Sequence, residues 1–181
     1  MAESESWDSE IKCWTDQYFN KTREIVQRNG DTRVTYAIFM RRPVSFAPRL
    51  MIEWLKHIAK ERDTKFEIET CFEEGAWAGA GEPLLYLSGS FFQLVDLETL
   101  YLQKLGACCV AAYNAYLMCS ALPDTKFLAM DARHCAGREM AELMAYAASV
   151  GSEAARQERD AVGFIGNATD ATAHFFGNEK G

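Results

Sequence analysis

Lys126-Phe127-Leu128-Ala129-Met130 is a short apolar run that delivers a polar cluster, Asp131-Ala132-Arg133-His134-Cys135. Arg138 to Val150 then places Met140, Leu143, Met144 and Ala147 at helical spacing, and Ala161-Val162-Gly163-Phe164-Ile165 is a second apolar run opening into Gly166-Asn167-Ala168-Thr169-Asp170. Strand, polar loop, helix, strand, polar loop, helix is the grammar of a parallel sheet or barrel, because parallel neighbours need a long crossover and a helix supplies it. Ligands of such folds sit at the carboxyl ends of the strands, where these two polar loops lie. Two such units are fewer than the roughly eight that close a barrel, so this segment is expected to be only the start of one.

Upstream, Thr15-Asp16 can cap a helix running through Tyr18, Lys21, Thr22, Ile25 and Val26, with Asn29-Gly30 as its stop. Thr32 to Arg41 alternates Val34, Tyr36, Ile38 and Met40 against Thr35, Ala37 and Phe39, which predicts a strand covered on both faces. Leu50, Met51, Trp54, Leu55 and Ile58 define an amphipathic helix after Pro48, and two β-like runs, FEIETCF and PLLYLSGSF, flank the Gly-rich GAWAGAGEP. From Gln93 to Leu122 the period is helical, in two runs expected to break at Gly106. A sheet-rich first part thus gives way to a helix-rich second part near Ser90 to Gln93.

With 181 residues the chain can bury one ordinary core or somewhat more. Its 26 acidic against 19 basic residues give a net charge of −7, which argues against a nucleic-acid cradle and for a small partner. The start MAESESWDSE is the opposite of a signal peptide, and Leu105 to Leu122 is interrupted by Gly106, Asn114 and Ser120, so a soluble, cytoplasmic protein without a membrane span is expected. The six cysteines show no C-x-x-C spacing, which disfavours zinc, and they are expected to be reduced, buried thiols. Without an export signal, the sequons at Asn20 and Asn167 are chance matches.

Arg133 at a strand end can grip a phosphate or carboxylate bidentately with His134 donating beside it; the alternative is a plain ion pair with Asp131. Activation of Cys135 by His134 fits less well, since adjacent strand residues face opposite ways. The loop Gly163 to Asp170 is a second anion-site candidate if Gly166, Asn167 and Thr169 open a helix with free N–H groups, the alternative being an ordinary cap. Tyr18 and Phe19 can stack on a flat heterocycle or simply join the core. His57 and His174 receive no role. Gly79-Ala80-Gly81 lacks the third glycine and helix of a dinucleotide fingerprint, and no zincin, P-loop, nucleophile-elbow or thioredoxin-like motif occurs.

Taken in order, Thr15-Asp16-Gln17-Tyr18-Phe19 with Lys21-Thr22, the Val34 to Arg42 strand, the Met130 to His134 strand end and Gly163-Phe164-Ile165-Gly166-Asn167-Ala168-Thr169 resemble the nicotinate phosphoribosyltransferases, closest to the compact bacterial and archaeal type. The resemblance spans about residues 15–177. It implies an α/β fold of the type II phosphoribosyltransferases: an acidic leader at 1–14, an N-terminal α/β sandwich domain at 15–92, connecting helices at 93–123 and the start of an irregular α/β barrel at 124–181. It also implies that nicotinate and phosphoribosyl pyrophosphate are converted to nicotinate mononucleotide and pyrophosphate, with ATP as co-substrate and Mg²⁺, in NAD biosynthesis.

Residue by residue, Tyr18 matches an aromatic that packs on the pyridine ring from a neighbouring subunit, which implies a homodimer, and Phe19 stands beside it. Arg133 matches the first Arg of a Phe-Gly-x-Arg-Arg strand end, with His134 in place of the second, and Met130 and Asp131 in place of Phe and Gly. Gly166, Asn167, Ala168 and Thr169 match a loop lining the same pocket. The resemblance places the family's phosphorylated histidine in a Gly-Thr-x-x-His segment beyond Gly181, so no catalytic residue is assigned in this chain. The altered strand end leaves quinolinate or another base open as substrate, and a non-catalytic, nucleotide-binding or dimerising piece is the remaining alternative.

Overall fold

The computed structural model describes residues 7–181; the first six residues of the expected acidic leader lie outside the described residues. In chain order the elements are α1 (Trp7–Trp14), α2 (Gln17–Asn29), β1 (Arg33–Phe39), β2 (Val44–Ser45), α3 (Arg49–Glu61), β3 (Glu67–Thr70), β4 (Trp77–Ala78), β5 (Pro83–Ser90) and α4 (Phe91–Leu94). A 3₁₀ turn, Val95–Leu97, leads into α5 (Glu98–Ala121), followed by β6 (Lys126–Ala129), a 3₁₀ turn at Ala132–His134, α6 (Arg138–Arg159), β7 (Gly163–Asn167) and a 3₁₀ helix at Asp170–Phe176. This is an α/β fold, as the sequence implies, and it divides into two compact units of interleaved segments.

The first unit comprises the residues up to Phe39, Arg49–Cys71 and Pro83–Lys104. Its antiparallel sheet has the order β1-β5-β3, with Tyr36 opposite Leu87 and Ile68 opposite Leu87 on the other side. β5 is the central strand and buries Leu84, Leu85 and Leu87 completely. β1 is not covered on both faces: only Ile38 is buried, while Thr35, Ala37 and Phe39 are exposed, because an antiparallel edge strand can leave one face in water.

The helices of this unit converge on Asp96, which is 1% exposed. Arg62 donates to both its carboxylate oxygens at 2.8 Å and Arg23 lies 3.2 Å away, while Arg62 also reaches Asp8 of α1 at 2.9 Å. Such a buried charge is tolerated because every side of it is paired. The N-terminal end of β1 is pinned by Asp31, which accepts from Ser90 Oγ at 2.5 Å and from the backbone N–H groups of Thr32 and Phe92 at 2.9 Å.

The second unit comprises Met40–Pro48, Phe72–Glu82 and Leu105–Gly181. Here β2 pairs antiparallel with β4, and β6 pairs parallel with β7, matching Phe127 to Phe164 and Ala129 to Asn167 across a bulge between Phe127 and Leu128. Phe164 packs with Ala115, Cys119, Ala129, Ala155 and Ala161, joined by Phe127 and Phe176. α5 runs unbroken through Gly106, contrary to the two runs expected; one glycine costs a helix only ~1 kcal/mol, which burial of residues such as Leu105, Cys108 and Cys109 outweighs. α6 is longer than Arg138–Val150 and continues to Arg159, and the expected last helix is of the tighter 3₁₀ type.

The cysteines divide: Cys108, Cys109 and Cys119 are buried thiols as expected, Cys135 is intermediate, and Cys13 and Cys71 are exposed. Cys109 accepts from the Ala47 N–H at 3.4 Å, and burial pushes its thiol up to about 12. His57, read as an unpartnered surface residue, packs edge-on against Trp7 at 4.9 Å.

Gly151 marks where α6 crosses α5. A Cβ built there would meet the Ala112 carbonyl oxygen well inside van der Waals contact and lie 2.8 Å from Tyr116 N, both backbone atoms that cannot swing aside. Gly151→Val is therefore expected to destabilise the chain by about 3 kcal/mol or more, read as a lower urea midpoint at unchanged m. The hydrogen bond from Ser90, with burial opposing it, holds the Asp31 carboxyl below its ordinary 3.8. Its contribution to stability is thus complete above the ordinary carboxylate range and is lost as pH falls below it; Asp31→Asn should flatten the acid limb of a stability-versus-pH curve.

Candidate functional site

Because β6 and β7 run parallel and in register, their carboxyl ends leave from the same side of the pair. Ala168 N donates to Ala129 O at 3.1 Å, which keeps the loop after β7 beside the end of β6. Both polar loops singled out by the sequence therefore meet at one end of the second unit. Tyr18 and Phe19 belong to the first unit; Arg133, His134, Gly166, Asn167, Ala168 and Thr169 belong to the second.

After β6 the chain turns through the 3₁₀ segment Ala132–His134, closed by His134 N donating to Asp131 O at 2.7 Å. This turn leaves Arg133 and His134 exposed, and among the described residues neither makes a side-chain hydrogen bond or ion pair. The Asp131–Arg133 ion pair weighed as the alternative is absent. Asp131 instead accepts from Cys135 Sγ at 3.5 Å, and burial together with the Asp131 charge raises the thiol above its ordinary value. Among the described residues Cys135 and His134 share no hydrogen bond. Gly137, at φ +92°, leads into α6 without a side-chain cap, and Arg138 stands at the first helical position, a second guanidinium five residues after Arg133.

The loop after β7 is built differently. Asn167, only 7% exposed, donates through Nδ2 to Thr169 O at 2.9 Å, to Thr169 Oγ1 at 3.3 Å and to Thr172 Oγ1. Thr169 and Thr172 share a hydroxyl hydrogen bond of 2.8 Å. This clasp uses the donor edge of the amide and leaves Asn167 Oδ1 buried with no hydrogen-bond partner. Asn178 Nδ2 donates to Ile165 O at 3.0 Å, and Gly181 N to Asp170 Oδ1 at 2.9 Å, so the chain beyond the 3₁₀ helix returns over the loop. The 3₁₀ helix has seven residues, about two turns, and no side-chain cap, so the expected α-helix N-terminus is replaced by a short 3₁₀ one.

Sequence reasoning missed the side chains that hold this loop's strand. Ser152 Oγ accepts from Phe164 N at 2.8 Å, and Arg156 donates to Val162 O at 2.9 Å and to Phe164 O at 2.5 Å. Both lie on α6 four residues apart, a spacing that puts them on one helix face, but nothing in the sequence marks that face as the one meeting β7. Thr172, which completes the Asn167 clasp, was also missed; the Thr169-to-Thr172 spacing of one 3₁₀ turn is the available signal.

In the first unit, Tyr18 is 59% exposed and does not join the core, correcting that alternative; its ring lies 4.1 Å from that of Phe19. Glu98, unremarked in the sequence, has its carboxyl raised by burial and by Asp16. A shallow depression of about 460 Å³ over Thr35, Glu67, Ile68, Glu69, Tyr86 and Ser88 involves none of the sequence-predicted residues. Among the described residues no three His, Cys, Asp or Glu side chains come together to hold a metal, and no helix is long and apolar enough to cross a membrane.

Solved structures share this fold. The nicotinate-nucleotide pyrophosphorylase from Pyrococcus furiosus superimposes with a TM-score of 0.68 at 19% identity, over 99% of this chain and 44% of its own. Human nicotinic acid phosphoribosyltransferase gives 0.61 at 21% identity, over 82% of this chain and 38% of its own. The nicotinate-nucleotide pyrophosphorylase from Ehrlichia chaffeensis gives 0.60 at 15% identity, over 82% and 53%. The chain has the fold of these enzymes. It spans roughly half or less of the length of each. No protein-family model matches the sequence, and no curated protein matches it.

Because Arg133 is exposed and bonded to nothing, Arg133→Ala is expected to leave the thermal midpoint unchanged within about 0.5 kcal/mol of stability. A differential scanning measurement showing a large loss would make Arg133 a structural residue.

Proposed function

We propose that this chain forms part of a phosphoribosyltransferase of NAD biosynthesis that joins nicotinate to phosphoribosyl pyrophosphate, releasing nicotinate mononucleotide and pyrophosphate, with ATP as co-substrate. The observation that carries the reading is the parallel pair β6 and β7, whose carboxyl ends open on one side into the segments that hold Arg133 and His134 and Gly166–Thr169. The fold shared with nicotinate-nucleotide pyrophosphorylase and nicotinic acid phosphoribosyltransferase supports it.

Displacement at an anomeric carbon passes through an oxocarbenium-like state, so the protein's share is to hold the flat base against the sugar and to neutralise anionic groups. Arg133 is free to take a phosphate or carboxylate without first breaking an internal ion pair. His134 stands next to it as a second donor. Tyr18, exposed and adjacent to Phe19, offers a ring for stacking on a pyridine in a homodimer. Mg²⁺ finds no ready-made set of protein ligands among the described residues, so no step is assigned to an ion held by this chain. The likeness to nicotinate-nucleotide pyrophosphorylase over nearly the whole chain favours one second reading, a related phosphoribosyltransferase acting on quinolinate or another base.

Nicotinate mononucleotide formation from nicotinate, phosphoribosyl pyrophosphate and Mg²⁺, with and without ATP, is the test, run in parallel with quinolinate. It should be run on this chain and on a form extended by the following barrel. Product from nicotinate in the extended form is expected, and Arg133→Ala there should lower kcat/KM for the phosphoribosyl substrate by about 2–3 kcal/mol of transition-state stabilisation. Product from quinolinate alone would transfer the reading to the second base, and product from neither would overturn it.

A further inference from the structure

We infer that the loop after β7 is not an anion site but a site for hydrogen-bond donors, and that Asn167 Oδ1 takes a hydroxyl of the ribosyl group. The inference rests on the phosphoribosyltransferase reading and names which part of the substrate each strand end meets. Three observations carry it. From Gly163 to Asp170 the loop contains no Lys, Arg or His, and its one ionisable side chain is the carboxylate of Asp170. A phosphate placed there would meet no cation of the segment's own, and the one nearby guanidinium, Arg156, is committed to the carbonyls of Val162 and Phe164, whereas Arg133 and Arg138 follow β6. Second, the donor edge of the Asn167 amide is consumed by Thr169 O, Thr169 Oγ1 and Thr172 Oγ1, so its side chain has no N–H left for an anion. Third, its Oδ1 is buried and unpartnered, a state that costs a protein about 1–3 kcal/mol and calls for a ligand or water to meet it.

An unpartnered carbonyl oxygen can only accept, so its ligand must donate. Ionised nicotinate carries a carboxylate and a bare ring nitrogen and has no donor; quinolinate is the same. Phosphate and pyrophosphate groups accept almost exclusively. Of the base and the phosphoribosyl substrate, only the ribosyl hydroxyls can donate to Asn167 Oδ1. The two strand ends thereby divide the substrate: cations after β6 for its anionic groups, an acceptor after β7 for its sugar.

The test is calorimetric titration of the full chain with inorganic phosphate, ribose 5-phosphate, its 2-deoxy and 3-deoxy counterparts, and nicotinamide, whose amide also donates. Ribose 5-phosphate is expected to bind about tenfold more tightly than at least one deoxy sugar. Asn167→Ala should abolish that difference while leaving the affinity for inorganic phosphate unchanged, and Arg133→Ala should weaken inorganic phosphate and ribose 5-phosphate alike. Thr172→Val, which disturbs the same clasp without touching Oδ1, should keep the preference for ribose and so separates binding from folding. The ligand series on the unmodified chain decides the matter even if Asn167→Ala is unstable. Equal binding of all the sugar phosphates would overturn the inference and leave the phosphoribosyltransferase reading standing, as would nicotinamide binding that depends on Asn167. Binding of no phosphorylated ligand would overturn that reading and this inference with it.

Discussion

β7 has a strand on one side only, and a helix supplies the hydrogen bonds that a second neighbour would have made. Ser152 receives the Phe164 N–H, and Arg156 spans the carbonyls of Val162 and Phe164. The same Phe164 turns its ring into the cluster around Ala115, Cys119 and Ala155. A two-stranded parallel pair is not self-sufficient, since its backbone groups on the outer edge and its apolar faces both need cover. By fixing β7 from α6, the chain fixes where the strand stops, and the strand end is where the polar loops begin. Gly151 belongs to the same constraint: without a side chain there, α6 can lie close enough to α5 for the interleaved alanines to pack.

The alternation of short apolar runs, polar loops and a helical run was legible between Lys126 and Asp170, because strand period, helix period and turn chemistry all agree there. The amphipathic pattern of Leu50, Met51, Trp54, Leu55 and Ile58 was equally plain, and α3 buries Met51, Leu55 and Ile58. Where the reading missed, tertiary packing had overruled a local signal. Gly106 looks like a break, yet the burial of α5 around it decides for continuity. β1 is apolar on both faces in sequence, yet its position at a sheet edge leaves one face in water. The candidate site was legible as residues and not as chemistry. Arg133 and Asn167 were both visible as strand-end residues, but only the geometry separates them, since Arg133 is left unpaired while Asn167 is committed through its donors to Thr169 and Thr172.

That separation matters for how the two loops can work together. A guanidinium in water keeps its hydration until an anion displaces it, so its selectivity for one anion over another is modest. A buried amide whose Nδ2 makes three internal contacts cannot rotate freely, so its oxygen presents one fixed direction to a donor. A site assembled from one of each combines a permissive grip on charge with a strict reading of shape.

Each compact unit is made of three separate stretches of chain threaded through the other's. The central strand of the first unit, β5, is contributed by residues that follow a segment of the second, and α5 begins in one unit and ends in the other. No single cut can release either unit as one uninterrupted piece. A ribosome delivering this chain cannot complete the first unit until Lys104 has emerged, by which time two segments of the second are already outside. Neither unit is therefore a continuous segment of chain, and neither can be exchanged as one.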